Sequence, residues 1–409
     1  MSAVYDAIVV GARCGGSPTA MLLARSGHRV LLLDRATFPS DTMSTHLIHA
    51  PGIAALKRWG LLEQLEATGC PPITTYSYDF GPMTISGSPR PSDGVREAFC
   101  ARRIVLDDLL VQAAVAAGAE LREAFSVDEI LIEDGTVTGI RGHAKGGATV
   151  TERARIVIGA DGRNSLVAKA VRPEQYNEAP TLQAGYYAYW SGLPTVGAEF
   201  YGRGDDRRGW GAFPTHDELT CVVVGWPRSQ FEVNRKDYEH HYLKTFDLAP
   251  EFAERVSRAT RETRFTGTAD LPGFFRKPYG RGWVLVGDAG YHKDPVTALG
   301  ISDAFRDAEA VSAALDDTFS GRRPYDAAMA VCHKARDDAS FALYGLTCQF
   351  AKNEPPPTDM QQLLDAVSRS REASDDFVSV MAHTFPVSAF FGPDNAARIM
   401  RDAAETAPS

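Results

Sequence analysis

Gly11-Ala12-Arg13-Cys14-Gly15-Gly16 is a run of small residues with one cation, placed directly after the apolar stretch Ala7-Ile8-Val9-Val10. A glycine turn between a buried strand and a helix presents backbone amides to a pyrophosphate, and an acid roughly twenty residues further on takes the hydroxyls of a ribose. Asp34 holds that position at the end of the second apolar run, Val30-Leu31-Leu32-Leu33, with Arg35 beside it. Arg13 stands where the usual fingerprint has its second glycine, and Gly15 is an additional one. The chemistry that suits Gly11, Arg13, Gly15, Gly16, Asp34 and Arg35 is dinucleotide binding. The plainer alternative is a tight turn in an α/β fold that holds no ligand.

Two further acids follow buried-strand patterns. Asp161 lies in Ala160-Asp161-Gly162-Arg163-Asn164-Ser165 and Asp288 in Val286-Gly287-Asp288-Ala289-Gly290. A carboxylate at a strand end can accept hydrogen bonds from sugar hydroxyls, while Gly162 and Gly287 let backbone approach a ligand closely. Asp161 is also placed to be a simple turn former. The cysteines at 14, 70, 100, 221, 332 and 348 form no CxxC pair, so no metal is expected and a reducing, cytoplasmic setting fits best.

These residues need elements to hold them. Ala20, Leu23 and Ala24 repeat at helical spacing up to Gly27, so residues 7–34 read as a βαβ unit. The pattern predicts a helix over 104–117, a hairpin across Glu133-Asp134-Gly135, an aromatic antiparallel sheet over about 182–226, a helix from about 300 to 317 and a helical tail broken at Pro355-Pro356-Pro357. The expected fold is α/β: a Rossmann-like domain with a mostly antiparallel substrate domain and a helical C-terminal region. The boundaries read as 1–70, 98–175 and 271–323 for the nucleotide-binding parts, 71–97 and 176–270 for the substrate domain, and 324–409 for the tail.

At 409 residues the chain can bury cores for two or three domains. Lys+Arg 43 against Asp+Glu 52 gives −9, a field that repels nucleic acid and anionic membranes. No apolar run approaches the ~18 residues of a membrane span, and the N-terminus lacks a basic export region.

Taken together, the motifs around Gly11, Asp161 and Asp288 resemble those of the FAD-dependent single-component monooxygenases of the p-hydroxybenzoate hydroxylase type, relatives of the geranylgeranyl reductases and flavin-dependent halogenases. The resemblance implies FAD, NADH or NADPH as electron donor, and oxygen used through a flavin C4a-hydroperoxide to hydroxylate a small apolar or aromatic substrate, by a monomer or homodimer. It implies that Arg103, in Arg103-Ile104-Val105-Leu106-Asp107, lies near the cofactor's pyrophosphate or ribityl region. Pro295 would present its carbonyl to the reactive edge of the flavin, with Gly300 and Ile301 at the pyrimidine side.

His46 falls in a loop that relatives place near ring and substrate, where it is either a hydrogen-bonding or basic group or a helix cap. Gly209 to Pro214 resembles a substrate-facing strand, which nominates Trp210 and Phe213. Alternation adds Tyr187 and Tyr189 on one face. His292, Lys293 and Asp294 are expected to form a local charge network. Ala168 fills the position where the family carries a basic residue, and the tryptophan pair of halogenases is missing. Double-bond reduction, and flavin binding that sequesters without turnover, stay open as alternatives.

Overall fold

The computed structural model describes residues 4–405; the first three and last four residues, which the readings of the N-terminus and of the tail include, lie outside it. Strand Tyr5–Val10 is flanked in parallel by Val30–Leu33 and Thr149–Gly159, with Trp283–Leu285 next to the latter. Glu120–Arg122 and Tyr279–Gly280 close the two edges. Both faces are covered, which explains why these strands read as unbroken apolar runs. Ala7 and Val9 enter a core with helices Gly16–Arg25, Arg103–Ala116 and Gly300–Phe319. Ile8 and Val10 point the other way, to a core with the hairpin strands Phe125–Glu133 and Thr136–Ala144.

A second sheet runs in the order Thr260–Arg261, Gln183–Ser191, Leu219–Pro227, Arg208–Pro214, Ala198–Arg203, Tyr76–Asp79 and Thr84–Gly87. The last two strands come from the proline-punctuated 71–97 segment, and Tyr76–Asp79 joins Ala198–Arg203 in parallel. One face carries Tyr187, Tyr189, Phe213 and Cys221 and packs on the C-terminal helices Thr358–Ser368 and Arg371–Met381. The other carries Ala188, Trp190, Trp210, Val222 and Trp226 and is roofed by helices Tyr238–Thr245 and Pro250–Ser257. Among the described residues no helix is long and apolar enough to cross a membrane.

Candidate functional site

The three motifs meet at the carboxyl ends of neighbouring parallel strands. Gly11 has φ +102°, and a Cβ there would sit 2.5 Å from the Ala160 carbonyl oxygen; at Gly16 it would sit 1.7 Å from the oxygen of Gly11. No side chain fits at either place. Helix Gly16–Arg25 starts with no side-chain cap and no acid in its first turn, leaving its amides open to an anion. Asp34 fastens the turn, accepting from Ala12 N–H at 2.7 Å and from Ala36 N–H at 2.8 Å. Each carboxylate oxygen still has acceptor capacity for a hydroxyl. Arg35 is exposed.

A cationic cluster stands beside the turn. Arg13 donates to Asp107 at 2.5 Å, and Arg103 binds the other oxygen of the same carboxylate at 2.9 Å. The Cys14 thiol adds a third contact at 3.3 Å. Two guanidiniums on one buried carboxylate leave a surplus positive charge. Arg103 also begins its helix, where the dipole opposes a cation, and Asp107 one turn on offsets that cost. Arg13 further reaches Ser40 Oγ at 3.1 Å, tying down the loop that leads to His46.

Asp288 lies half-buried in the short turn Gly287–Ala289, and among the described residues no hydrogen bond to its carboxylate is found. Asp161 differs. Its two oxygens take Ser165 Oγ–H at 2.5 Å and Leu166 N–H at 2.6 Å, so the carboxylate is spent on starting helix Leu166–Val171.

The loop after Asp288 departs from expectation in one respect. His292, Lys293 and Asp294 form no common network, because consecutive side chains on extended backbone leave in different directions. His292 donates to the Pro272 carbonyl at 2.5 Å, given that a carbonyl can only accept. Lys293 pairs with Asp303 and donates to the Tyr291 hydroxyl, while Arg306 holds Asp303 from the other side at 3.0 Å. Asp294 caps the turn Pro295–Thr297. Ala298 follows with φ +52°, a conformation that costs a non-glycine residue about 1 kcal/mol or more and that surrounding structure must enforce. A Cβ at Gly300, the first residue of helix Gly300–Phe319, would meet nothing within 4 Å. Ile301, the second residue of that helix, is buried in the core that Ala7 and Val9 enter.

His46 is fully buried, adopts φ +66°, and pairs through Nε2 with the Tyr189 hydroxyl at 2.9 Å. Burial, then the charges of Arg103 and Arg102, push its pKa down to about 3, so the imidazole is neutral at pH 7. It is not a helix cap; that position belongs to His49. Tyr187 meets the His46 ring edge-on at 5.1 Å. Tyr187, Tyr189, Phe213 and Ala298 share one apolar cluster, which brings the loop under the sheet.

Trp210, expected on that face, lies on the opposite one. It pairs with Val224, which pairs with Tyr186, so this cross-strand row shares the far face. There Trp210 stacks on Tyr201 at 4.7 Å and packs against Phe246 and Phe252. Strand periodicity carried no register, and register decides the face.

Tyr76 was not singled out from sequence, and Asp107 and His49 were in view only as members of the motif that follows Arg103 and of the loop around His46. His49 and Tyr76 meet across distant segments at 2.9 Å, for which sequence carries no signal.

Residues 4–337 match the family described as "FAD binding domain". The chain is 29% identical over 316 residues to the digeranylgeranylglycerophospholipid reductase of Methanocella arvoryzae, covering 74% of this chain and 75% of that protein. It is 26% identical over 317 residues to the 6-methylpretetramide 4-monooxygenase of Streptomyces rimosus, covering 75% and 73%. A flavin-dependent brominase shares the fold with TM-score 0.82 at 17% identity, covering 99% of this chain and 100% of that one.

Proposed function

This chain belongs to the FAD binding domain family, and from that membership we propose that it hydroxylates a small apolar or aromatic molecule with oxygen, drawing electrons from NADH or NADPH. The protein is an FAD-dependent oxidoreductase whose relatives include a monooxygenase.

The residues suit the cofactor. The glycine turn leaves no room for side chains, the helix behind it is uncapped, and Arg13 with Arg103 supplies positive charge for a pyrophosphate. Asp34 and Asp288 retain acceptor capacity for ribose and ribitol hydroxyls. Gly300 opens on free space at a helix N-terminus without a side-chain cap. Asp161 is better read as a support for the start of helix Leu166–Val171, holding its N-cap Ser165 and the Leu166 amide. Bound here, FAD would supply the electron transfer and oxygen activation that side chains cannot.

The observation that carries the reading is that Ala298, at the end of the Pro295 loop, lies in the same apolar cluster as Tyr187, Tyr189 and Phe213, which puts aromatic rings, Tyr187 and Tyr189 edge to face, on the sheet side of that loop. Such a surface excludes water and orients a planar substrate. His46 is too strongly depressed to serve as a base at neutral pH; its role is to orient the Tyr189 hydroxyl. Reduction of a carbon–carbon double bond is the second reading, supported by the similarity to the Methanocella reductase.

An aerobic assay of NAD(P)H oxidation and oxygen uptake over phenols, polycyclic aromatics and prenyl compounds tests it. Product one oxygen atom heavier supports hydroxylation. Product two hydrogens heavier, formed without oxygen, replaces it with reduction.

A further inference from the structure

Asp294 is the one side chain of the Pro295 loop with unfinished hydrogen bonding. It is 6% exposed. Its Oδ1 accepts from Val296 N–H at 3.0 Å, and its Oδ2 has no hydrogen-bond partner in the protein. Lys293, next in sequence, is engaged by Asp303 and Tyr291. The facing helix Tyr325–Phe350 contributes the thiol of Cys348, which burial keeps protonated and which brings no countercharge. Further along, the Thr297 and Thr347 hydroxyls are paired with each other at 3.0 Å.

An ionised carboxylate with a single amide and no cation is poorly tolerated in such surroundings, and the group responds by keeping its proton. Burial pushes Asp294 up from the usual carboxylate range to about 7, opposed only by the Val296 amide. With Oδ1 accepting as the carbonyl, the proton belongs on Oδ2, which makes that atom a buried donor without an acceptor.

Resting on the reading that this loop borders FAD, we infer that Asp294 is an uncharged acid whose Oδ2–H is the hydrogen bond the loop offers to the bound cofactor. A donor left unmade in a dry site is costly, so an acceptor arriving there is strongly rewarded. Ionisation removes the donor and sets a negative charge against the same acceptor. Affinity for FAD therefore falls as pH rises through neutrality.

The test is the dissociation constant of FAD, read by fluorescence quenching on the full-length protein at pH 6 and pH 8. The parent is expected to bind about tenfold more weakly at pH 8, the fold-change set by losing most of the protonated form of a group titrating near neutrality. Asp294→Asn keeps an N–H donor and cannot ionise, so it should bind alike at both pH values and close to the parent at pH 6. Asp294→Ala should bind weakly at both. Thermal midpoints of the FAD-free proteins guard against misfolding: Asp294→Asn should gain more stability over the parent at pH 8 than at pH 5, because the cost of the raised carboxyl sets in above its unfolded pKa and grows until pH passes the folded one. FAD affinity of the parent that does not change with pH, or that changes equally in Asp294→Asn, overturns the inference while leaving the proposed function standing. Failure of the parent to bind FAD at either pH overturns both.

Discussion

His49 donates Nε2–H to the carbonyl oxygen of Thr297 at 3.1 Å, tying the start of helix Ala50–Arg58 to the loop that precedes helix Gly300–Phe319. Because a carbonyl only accepts, Nδ1 carries the lone pair and takes the Tyr76 hydroxyl proton at 2.9 Å. Burial lowers the His49 pKa to about 4, which keeps this tautomer neutral. One imidazole thus joins the helix Ala50–Arg58, the candidate site loop and an interior strand of the second sheet, next to its edge strand Thr84–Gly87.

Tyr76→Phe should cost about 1–3 kcal/mol, since it strands a buried acceptor. His49→Ala should cost more, while His49→Gln should recover part by offering one donor and one acceptor. Urea denaturation of the three variants checks this. Equal midpoints for Tyr76→Phe and the parent would refute the assigned tautomer.

Asp303 sits between Lys293 and Arg306. Burial opposes its ionisation, but Lys293 and Arg306 outweigh that and bring its pKa to about 2, below the ordinary 3.8. A depressed carboxyl stabilises the fold above its unfolded pKa and loses that contribution as pH falls through the folded one. The stability of the parent over Asp303→Asn should therefore be full at pH 5 and shrink between about pH 4 and pH 2. At neutral pH, breaking the buried pair should cost about 3–5 kcal/mol. Thermal melts across that range decide the matter; a difference independent of pH would contradict it.

Arg103→Ala and Asp288→Ala should each lower FAD affinity by tenfold or more, the equivalent of about 1.5–3 kcal/mol for a charge-assisted hydrogen bond. Lys57→Ala, on an exposed helix surface, should leave it unchanged. Chromatography of the cofactor released by boiling checks identity as well as occupancy. Release of FMN, or equal occupancy in all three, would sink the assignment.

Trp210→Ala should destabilise the fold by about 3–5 kcal/mol, the usual cost of emptying a large aromatic site. It should barely alter which substrates are turned over, since Trp210 packs under the helices of the far face. Tyr187→Ala should do the reverse, changing KM across a substrate panel while FAD content holds. A shift in substrate range on changing Trp210 alone would refute this division of the two faces.

Much of the nucleotide-binding half was legible in the chain because its signals are local. Val30–Leu33 forms the strand its apolar run predicts, Gly27 follows the end of helix Gly16–Arg25 with φ +86°, and the hairpin turns at Asp134 and Gly135. A glycine turn between strand and helix depends on bonds among near neighbours, so order along the sequence is enough to reveal it. Alternation likewise separated Tyr187 and Tyr189 from Tyr186 and Trp190 within a single strand.

What only the tertiary structure decided depends on partners that sequence spacing does not record. The face taken by Trp210 follows from its pairing with Val224, Lys293 turns to Asp303 rather than to its neighbours, and Asp161 is spent on the start of helix Leu166–Val171. The Arg13–Asp107–Arg103 cluster and the His49–Thr297 bond likewise join segments far apart in the chain. Motifs identify which atoms can bind a charge or a hydroxyl, but burial, register and the competing partner determine which of them remain free to do so.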